Sequence, residues 1–222
     1  MKRFGSLLLS AAFLLGLPAG AAGKAPASVT VSRMTCEYLE SPAGLDVRQP
    51  RFSWTLEATD PEGHAQAQSA YRIVVSDSGR PKTPGGMWDT GWVESDASLL
   101  IRYAGKPLAS DRTYYWQVQV RDERGRTSPW SEVRSWSTGL FDPGDWSARW
   151  IGSNEVLDTT SKGDCNVSDP WLRRRVTLAK RPARAVMFVA SVGYHELYVN
   201  GRKVGDHILA PACLLYTSDA AD

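Results

Sequence analysis

Nine consecutive residues, Tyr114 to Asp122 (YYWQVQVRD), constrain this chain more than any other stretch. In an extended backbone Tyr114, Trp116, Val118 and Val120 fall on one face and Tyr115, Gln117, Gln119 and Arg121 on the other. A side-chain period of two marks a half-buried β-strand, so one face has to meet a core. Asp122 to Arg126 (DERGR) is polar and contains a glycine, which predicts a hairpin loop, and Glu132 to Thr138 then returns as a second strand. The hairpin carries no nucleophile, metal-ligand set or phosphate loop, so its task has to be read from its neighbours.

Upstream the same period recurs. Ser28 to Thr35 alternates, Arg51 to Leu56 places Phe52, Trp54 and Leu56 on one face, and Tyr71 to Ser76 turns Tyr71, Ile73 and Val75 inward. Trp88 to Trp92 and Ser98 to Tyr103 add two shorter segments. Turn-rich stretches at 41–44, 60–69, 79–86 and 105–107 separate them, and no helical period appears after the first residues. About seven short strands over residues 28–139 predict an all-β fold, a fibronectin type III or immunoglobulin-like sandwich. A hydrophobic content of 42%, with 10% aromatic residues, is enough to fill its core.

The two ends differ in character from the middle. Lys2 and Arg3, an apolar run from Leu7 to Leu17 and the small residues Ala19-Gly20-Ala21-Ala22 predict a secretory signal peptide over residues 1–22. The apolar run is far shorter than the ~20 residues that cross a bilayer, so no membrane span is expected after cleavage. Residues 213–222 (CLLYTSDAAD) read as the translation of a sequencing-library adapter and are set aside from fold reasoning. Cys213 goes with them, leaving Cys36 and Cys165; in an exported protein the two could pair, but they fall in different expected modules and are read as two free thiols. The net charge is +2; Lys2 and Arg3 at one end and Asp219 and Asp222 at the other cancel, so trimming both ends leaves +2. That balance carries no nucleic-acid footprint, and Arg173-Arg174-Arg175 reads as a solvated strand edge.

Residues 140–152 form a linker around Pro143-Gly144. Residues 153–212 then begin a second β-sandwich module, with a polar opening to Asp169 and strands expected at Trp171 to Leu178, Ala185 to Ser191 and Glu196 to Val199. Asn200-Gly201 supplies the two positive-φ positions of a type I′ turn, the strongest short-range hairpin signal in the chain.

In order, PRFSW (50–54), AYRIVV (70–75), WDTG (88–91), YYWQVQVRD (114–122), SPWSE (128–132), DWSARWIG (145–152), GYHELYVNGRKVGD (193–206) and LAP (209–211) resemble the N-terminal portion of bacterial α-L-rhamnosidases. Each motif is weak alone; their order and spacing are specific. The resemblance implies a fibronectin-like module, a second β-sandwich module and then an (α/α)-barrel catalytic domain. That barrel would remove terminal α-L-rhamnose from glycosides, in the periplasm or outside the cell, with inversion and without a cofactor. Inversion needs a carboxylic acid and a water-activating carboxylate roughly 6.5–9.5 Å apart. In the family these belong to the barrel, so no residue here is assigned a catalytic role, and rhamnose-containing glycosides would be met through the missing domain. The competing readings are a non-catalytic exported carbohydrate-binding or adhesion module, and accessory modules of a different glycosidase.

Asp89, Asp122, Glu132, Asp142, Asp145 and Glu196 sit at turns and strand ends, where carboxylates cap backbone groups, and they are read as structural. His64, His195 and His207 lack metal-ligand spacing. Trp54 and Trp116 share the core phase; Trp130, Trp146 and Trp171 are read as exposed or inter-domain. Tyr194 and His195, beside the hairpin, are the residues placed to face a carbohydrate. Trp130-Ser131 and Trp136-Ser137 mimic the paired Trp-Ser box of cytokine receptors, but four residues separate the pairs where that box has one, so its register fails.

Overall fold

The structure, a computed structural model, describes residues 26–81, 86–152 and 171–206. Towards the N-terminus, β1 (Val29–Cys36), β2 (Arg51–Ala58), β3 (Gln68–Ser76), β4 (Trp88–Asp89), β5 (Val93–Glu94), β6 (Ile101–Arg102), β7 (Thr113–Asp122) and β8 (Arg134–Ser137) make two sheets. One has the order β1-β2-β6; the other runs β4-β3-β7-β8, with β5 also on β3. The pairs are antiparallel, and no α-helix occurs among the described residues. The protein is thus an all-β, immunoglobulin-like sandwich, as the alternation predicts.

Strand β7 is central to the larger sheet, and Tyr114, Trp116, Val118 and Val120 are all buried. They meet Phe52 and Trp54 of β2 and Ile73 and Val75 of β3 in one core. Phe52 lies at its middle, with ring centroids 4.4 Å from Trp116 and 5.3 Å from Trp136. Trp54 packs edge-on to Tyr71 at 5.3 Å, and Tyr114 stacks on Trp136 at 5.4 Å. Such pairs add about 0.5–1.5 kcal/mol each beyond the area they bury. The Trp54 indole N–H donates to Gln68 Oε1 at 2.9 Å, which fixes the start of β3.

Hydrogen bonds pin the corners of the sandwich. At the entry to β7 the Tyr114 hydroxyl accepts the N–H of Ala109, five residues upstream, at 2.9 Å; this is the tyrosine-corner arrangement of immunoglobulin-like sandwiches. At its exit the buried Asp122 carboxylate accepts the N–H groups of Ser28, Arg124 and Arg126 and pairs with the Arg126 guanidinium at 2.6 Å. Between β1 and β2 the chain crosses to the other sheet. There Leu45 lies parallel to Thr138, donating to the Ser137 carbonyl at 2.9 Å and accepting from Gly139 at 2.7 Å. A Cβ on Gly139 would stand 2.9 Å from the Gly44 carbonyl, so glycine is required for the approach.

The return strand begins at Arg134 rather than Glu132. Pro129 has no N–H to give a ladder, and the SPWSE segment bulges away while two serines bridge the gap. The N–H of Val120 donates to Ser128 Oγ (3.1 Å) and that of Val118 to Ser131 Oγ (3.0 Å); the serine N–H groups donate back to the Val120 and Val118 carbonyls at 2.9 Å. Side chains thus stand in for main-chain acceptors over one stretch of the sheet.

In residues 171–206 the two named strands, β9 (Tyr198–Val199) and β10 (Arg202–Lys203), pair around Asn200 and Gly201 at φ 51° and 78°. The predicted type I′ hairpin is present. The strands expected at Trp171 to Leu178 and Ala185 to Ser191 are not: these residues form no ladder, and Leu172, Val176, Leu178, Val186 and Met187 face solvent. A strand is stable only where a neighbour takes its N–H and C=O groups and a second layer covers its apolar face, and the described residues offer neither. Residues 1–22 and 213–222, Cys165 and His207 lie outside the described residues; Cys36 is a buried free thiol, which burial pushes up to about 12.

Candidate functional site

The residues singled out for carbohydrate, Tyr194 and His195, stand together just ahead of β9. Gly193, at φ 90°, turns the chain before them. Tyr194 is 60% exposed, while His195 is half-buried with Nδ1 2.7 Å from Ser191 Oγ. Beyond them Glu196 accepts the Tyr198 hydroxyl at 2.7 Å and pairs with Lys203, and the hydrogen bonds from Lys203 and Tyr198 hold its carboxyl below the usual range. An open aromatic face beside an oriented imidazole can meet a sugar ring. The imidazole is oriented by a serine of its own loop, Ser191.

The acidic residues are spoken for by their neighbours. Asp89 forks onto Arg72 (2.9 and 2.6 Å), Asp142 pairs with Arg48 (2.7 Å), Asp145 accepts the Asp142 N–H (3.1 Å) and the Ser110 hydroxyl, and Glu132 lies 3.5 Å from Arg134. The hydrogen bond from Arg72 lowers the Asp89 pKa, and that from Ser110 lowers Asp145. For Asp122, burial opposes ionisation, but the N–H groups of Ser28, Arg126 and Arg124 and the Arg126 side chain outweigh it and bring the carboxyl to about 2. A general acid at neutral pH needs the opposite displacement. Among the described residues no cluster of three His, Cys, Asp or Glu is placed to hold a metal.

Two features escape sequence reasoning. On the outer face of the larger sheet the Arg121 guanidinium lies 4.1 Å from the Trp92 ring centroid, and that of Arg72 5.9 Å from Trp130. These are two separate arginine–tryptophan contacts on the outer face, whereas Trp136, of the second Trp-Ser pair, goes to the core. The second feature is a groove of about 690 Å³ beside β2 and β6, with Arg48, Arg51, Arg102 and Lys106 on its walls and Val47, Pro107 and Leu108 among its apolar residues. Its cations come from two segments about fifty residues apart, Arg48 and Arg51 in one and Arg102 and Lys106 in the other, and no local motif joins them. Glu37 is the acid of its wall; it takes the Arg51 guanidinium through both oxygens (2.6–3.2 Å), and the hydrogen bonds from Arg51 lower its pKa.

Comparison with known proteins places this geometry. Residues 31–142 match the family model described as Rha78A-like, N-terminal immunoglobulin domain, and residues 180–221 match the α-L-rhamnosidase N-terminal domain. An α-L-rhamnosidase of Formosa agariphila is 31% identical over 214 residues, covering 89% of this chain and 22% of the relative. One of Streptomyces avermitilis is 32% identical over 192 residues, 80% of this chain and 18% of the relative. Among solved structures, the Streptomyces avermitilis α-L-rhamnosidase complexed with L-rhamnose aligns with a TM-score of 0.53 at 39% identity, over 56% of this chain and 12% of that one. The α-L-rhamnosidase from Dictyoglumus thermophilum aligns with a TM-score of 0.52 at 35% identity, over 56% and 14%. The chain spans about a fifth of the length of the curated relatives it matches.

Proposed function

The chain belongs to the α-L-rhamnosidase family, with residues 31–142 as its Rha78A-like N-terminal immunoglobulin domain, and from that premise we propose that it is the non-catalytic N-terminal portion of an exported α-L-rhamnosidase. In this reading the parent enzyme releases terminal α-L-rhamnose from glycosides with inversion. The observation that carries it is the alignment over most of this chain with about a fifth of proteins named α-L-rhamnosidase. The described carboxylates support the non-catalytic role. Asp89, Asp122, Asp142, Asp145 and Glu196 are each tied to a neighbouring donor, whereas inversion needs one acid held protonated and one base facing a water across the sugar.

Within such an enzyme this portion would act as a rigid module ahead of the catalytic domain, and Tyr194 and His195 would offer a sugar-contacting surface beside the second hairpin. The basic n-region and apolar run of residues 1–22 support export. Sequencing an intact gene through codon 212, followed by assay of its product and of this chain on an aryl α-L-rhamnoside, tests the reading. The full-length product should release rhamnose whose first-formed anomer, followed by NMR, is inverted, while this chain releases none. A full-length gene without a helical-repeat domain downstream would refute it.

A further inference from the structure

The groove beside β2 and β6 has a charge pattern that the fold alone does not require. Arg51 and Arg102 are Cα partners in the β2–β6 pairing, so their side chains leave the same face of the sheet from positions about 5 Å apart. Like charges directly opposite destabilise a sheet. Arg51 is held by Glu37, which its guanidinium and backbone N–H saturate, and stacks 5.4 Å from the Tyr38 ring. Glu37 and Tyr38 both adopt positive φ, 47° and 67°, a backbone arrangement unfavourable for residues of their size. Arg48 is oriented in turn by Asp142 and by the Phe141 ring, 4.8 Å away. Arg102 makes no side-chain hydrogen bond or ion pair among the described residues. Arg48, Arg51, Arg102 and Lys106 therefore line the groove against two carboxylates, Glu37 on Arg51 and Asp142 on Arg48, which leaves the walls with two more cations than acids.

We propose that this groove is a binding site for an anionic oligosaccharide, one bearing carboxylate or sulfate groups, and so gives the module a substrate-anchoring role. Planar guanidinium forks match both anions through paired N–H donors. The apolar residues Val47, Pro107 and Leu108 offer a surface for the C–H face of a sugar ring, and the groove volume of about 690 Å³ is in the range of small-ligand sites. That the anion is carried by a saccharide rests on the rhamnosidase reading; that the groove takes an anion rests on the geometry alone.

Isothermal titration calorimetry of the purified chain at low ionic strength, with tetragalacturonate, a sulfated tetrasaccharide and neutral maltotetraose as probes, tests the proposal. One or both acidic probes should bind and maltotetraose should not, the stronger acidic probe telling carboxylate from sulfate. Arg102→Glu and Lys106→Glu, each checked by thermal melting for an intact fold, should weaken binding at least about tenfold, while Arg33→Glu, away from the groove, should leave it within about twofold. Absence of heat with both acidic probes, or equal loss with Arg33→Glu, overturns the site. Binding of inorganic sulfate as tight as that of the acidic tetrasaccharides overturns the saccharide assignment. Because these readouts involve no hydrolysis, failure of the parent enzyme to cleave rhamnosides would leave them unaffected, and the two ideas fail separately.

Discussion

The Asp122 carboxylate at the end of β7 accepts the backbone N–H of Ser28, 94 residues earlier, at 2.9 Å. One side chain thereby ties the first strand to the central hairpin. Its folded pKa of about 2 lies below the ordinary 3.8, so its stabilisation is complete above 3.8 and is lost as pH falls from there towards 2. Asp122→Asn should cost about 2–3 kcal/mol at neutral pH, as expected for lost hydrogen bonds to a charged acceptor. The gap in melting temperature between variant and parent should narrow as pH drops through that window. A gap that stays constant down to the lower limit would remove Asp122 as the acid-sensitive tie.

Trp116 is fully buried against Phe52, and Trp116→Ala should destabilise the module by about 3–5 kcal/mol. Trp130, half-buried and lying against Arg72 on the outer face, should cost about 1 kcal/mol on the same truncation. Urea unfolding of both variants separates the roles, and equal losses would contradict the assigned strand phase.

Tyr114→Phe keeps the ring stacked on Trp136 but leaves the Ala109 N–H without its acceptor. The expected loss is about 1–2 kcal/mol, with a core otherwise unchanged by near-ultraviolet circular dichroism. A variant as stable as the parent would show that the corner is held by packing alone.

Ser131→Ala removes the oxygen that receives the Val118 N–H. Amide exchange at Val118 should accelerate while that at Ile73, whose donor goes to Thr90, stays slow, with about 1 kcal/mol lost overall. Unchanged exchange at Val118 would mean that the bulge does not depend on the serine.

The sandwich was legible because burial on the core side writes a period of two into Tyr114 to Val120, Phe52 to Leu56 and Tyr71 to Val75, although Val74 and Gln117 on the opposite face are buried as well. The bulge was not, because nothing local distinguishes a serine that accepts from a main-chain N–H from one that faces water; Pro129 only signals that a donor is missing. In the second region apolar alternation at Trp171 to Leu178 records a preference for burial, and a preference becomes a strand only when a partner is present. The groove lay beyond reach for a different reason. Arg51 and Arg102 are brought together by sheet register, which the order of residues does not encode locally.

The parallel run of Leu45 beside Thr138 has a mechanical meaning. When tension is applied across the two ends of an antiparallel pair at one edge, its hydrogen bonds break in succession, each carrying the load alone. Two segments that lie parallel near the beginning and the end of a module are instead drawn past each other, and the Leu45–Ser137 and Gly139–Leu45 bonds share the load in shear. A module latched this way resists extension and transmits a pull to the segments that adjoin it.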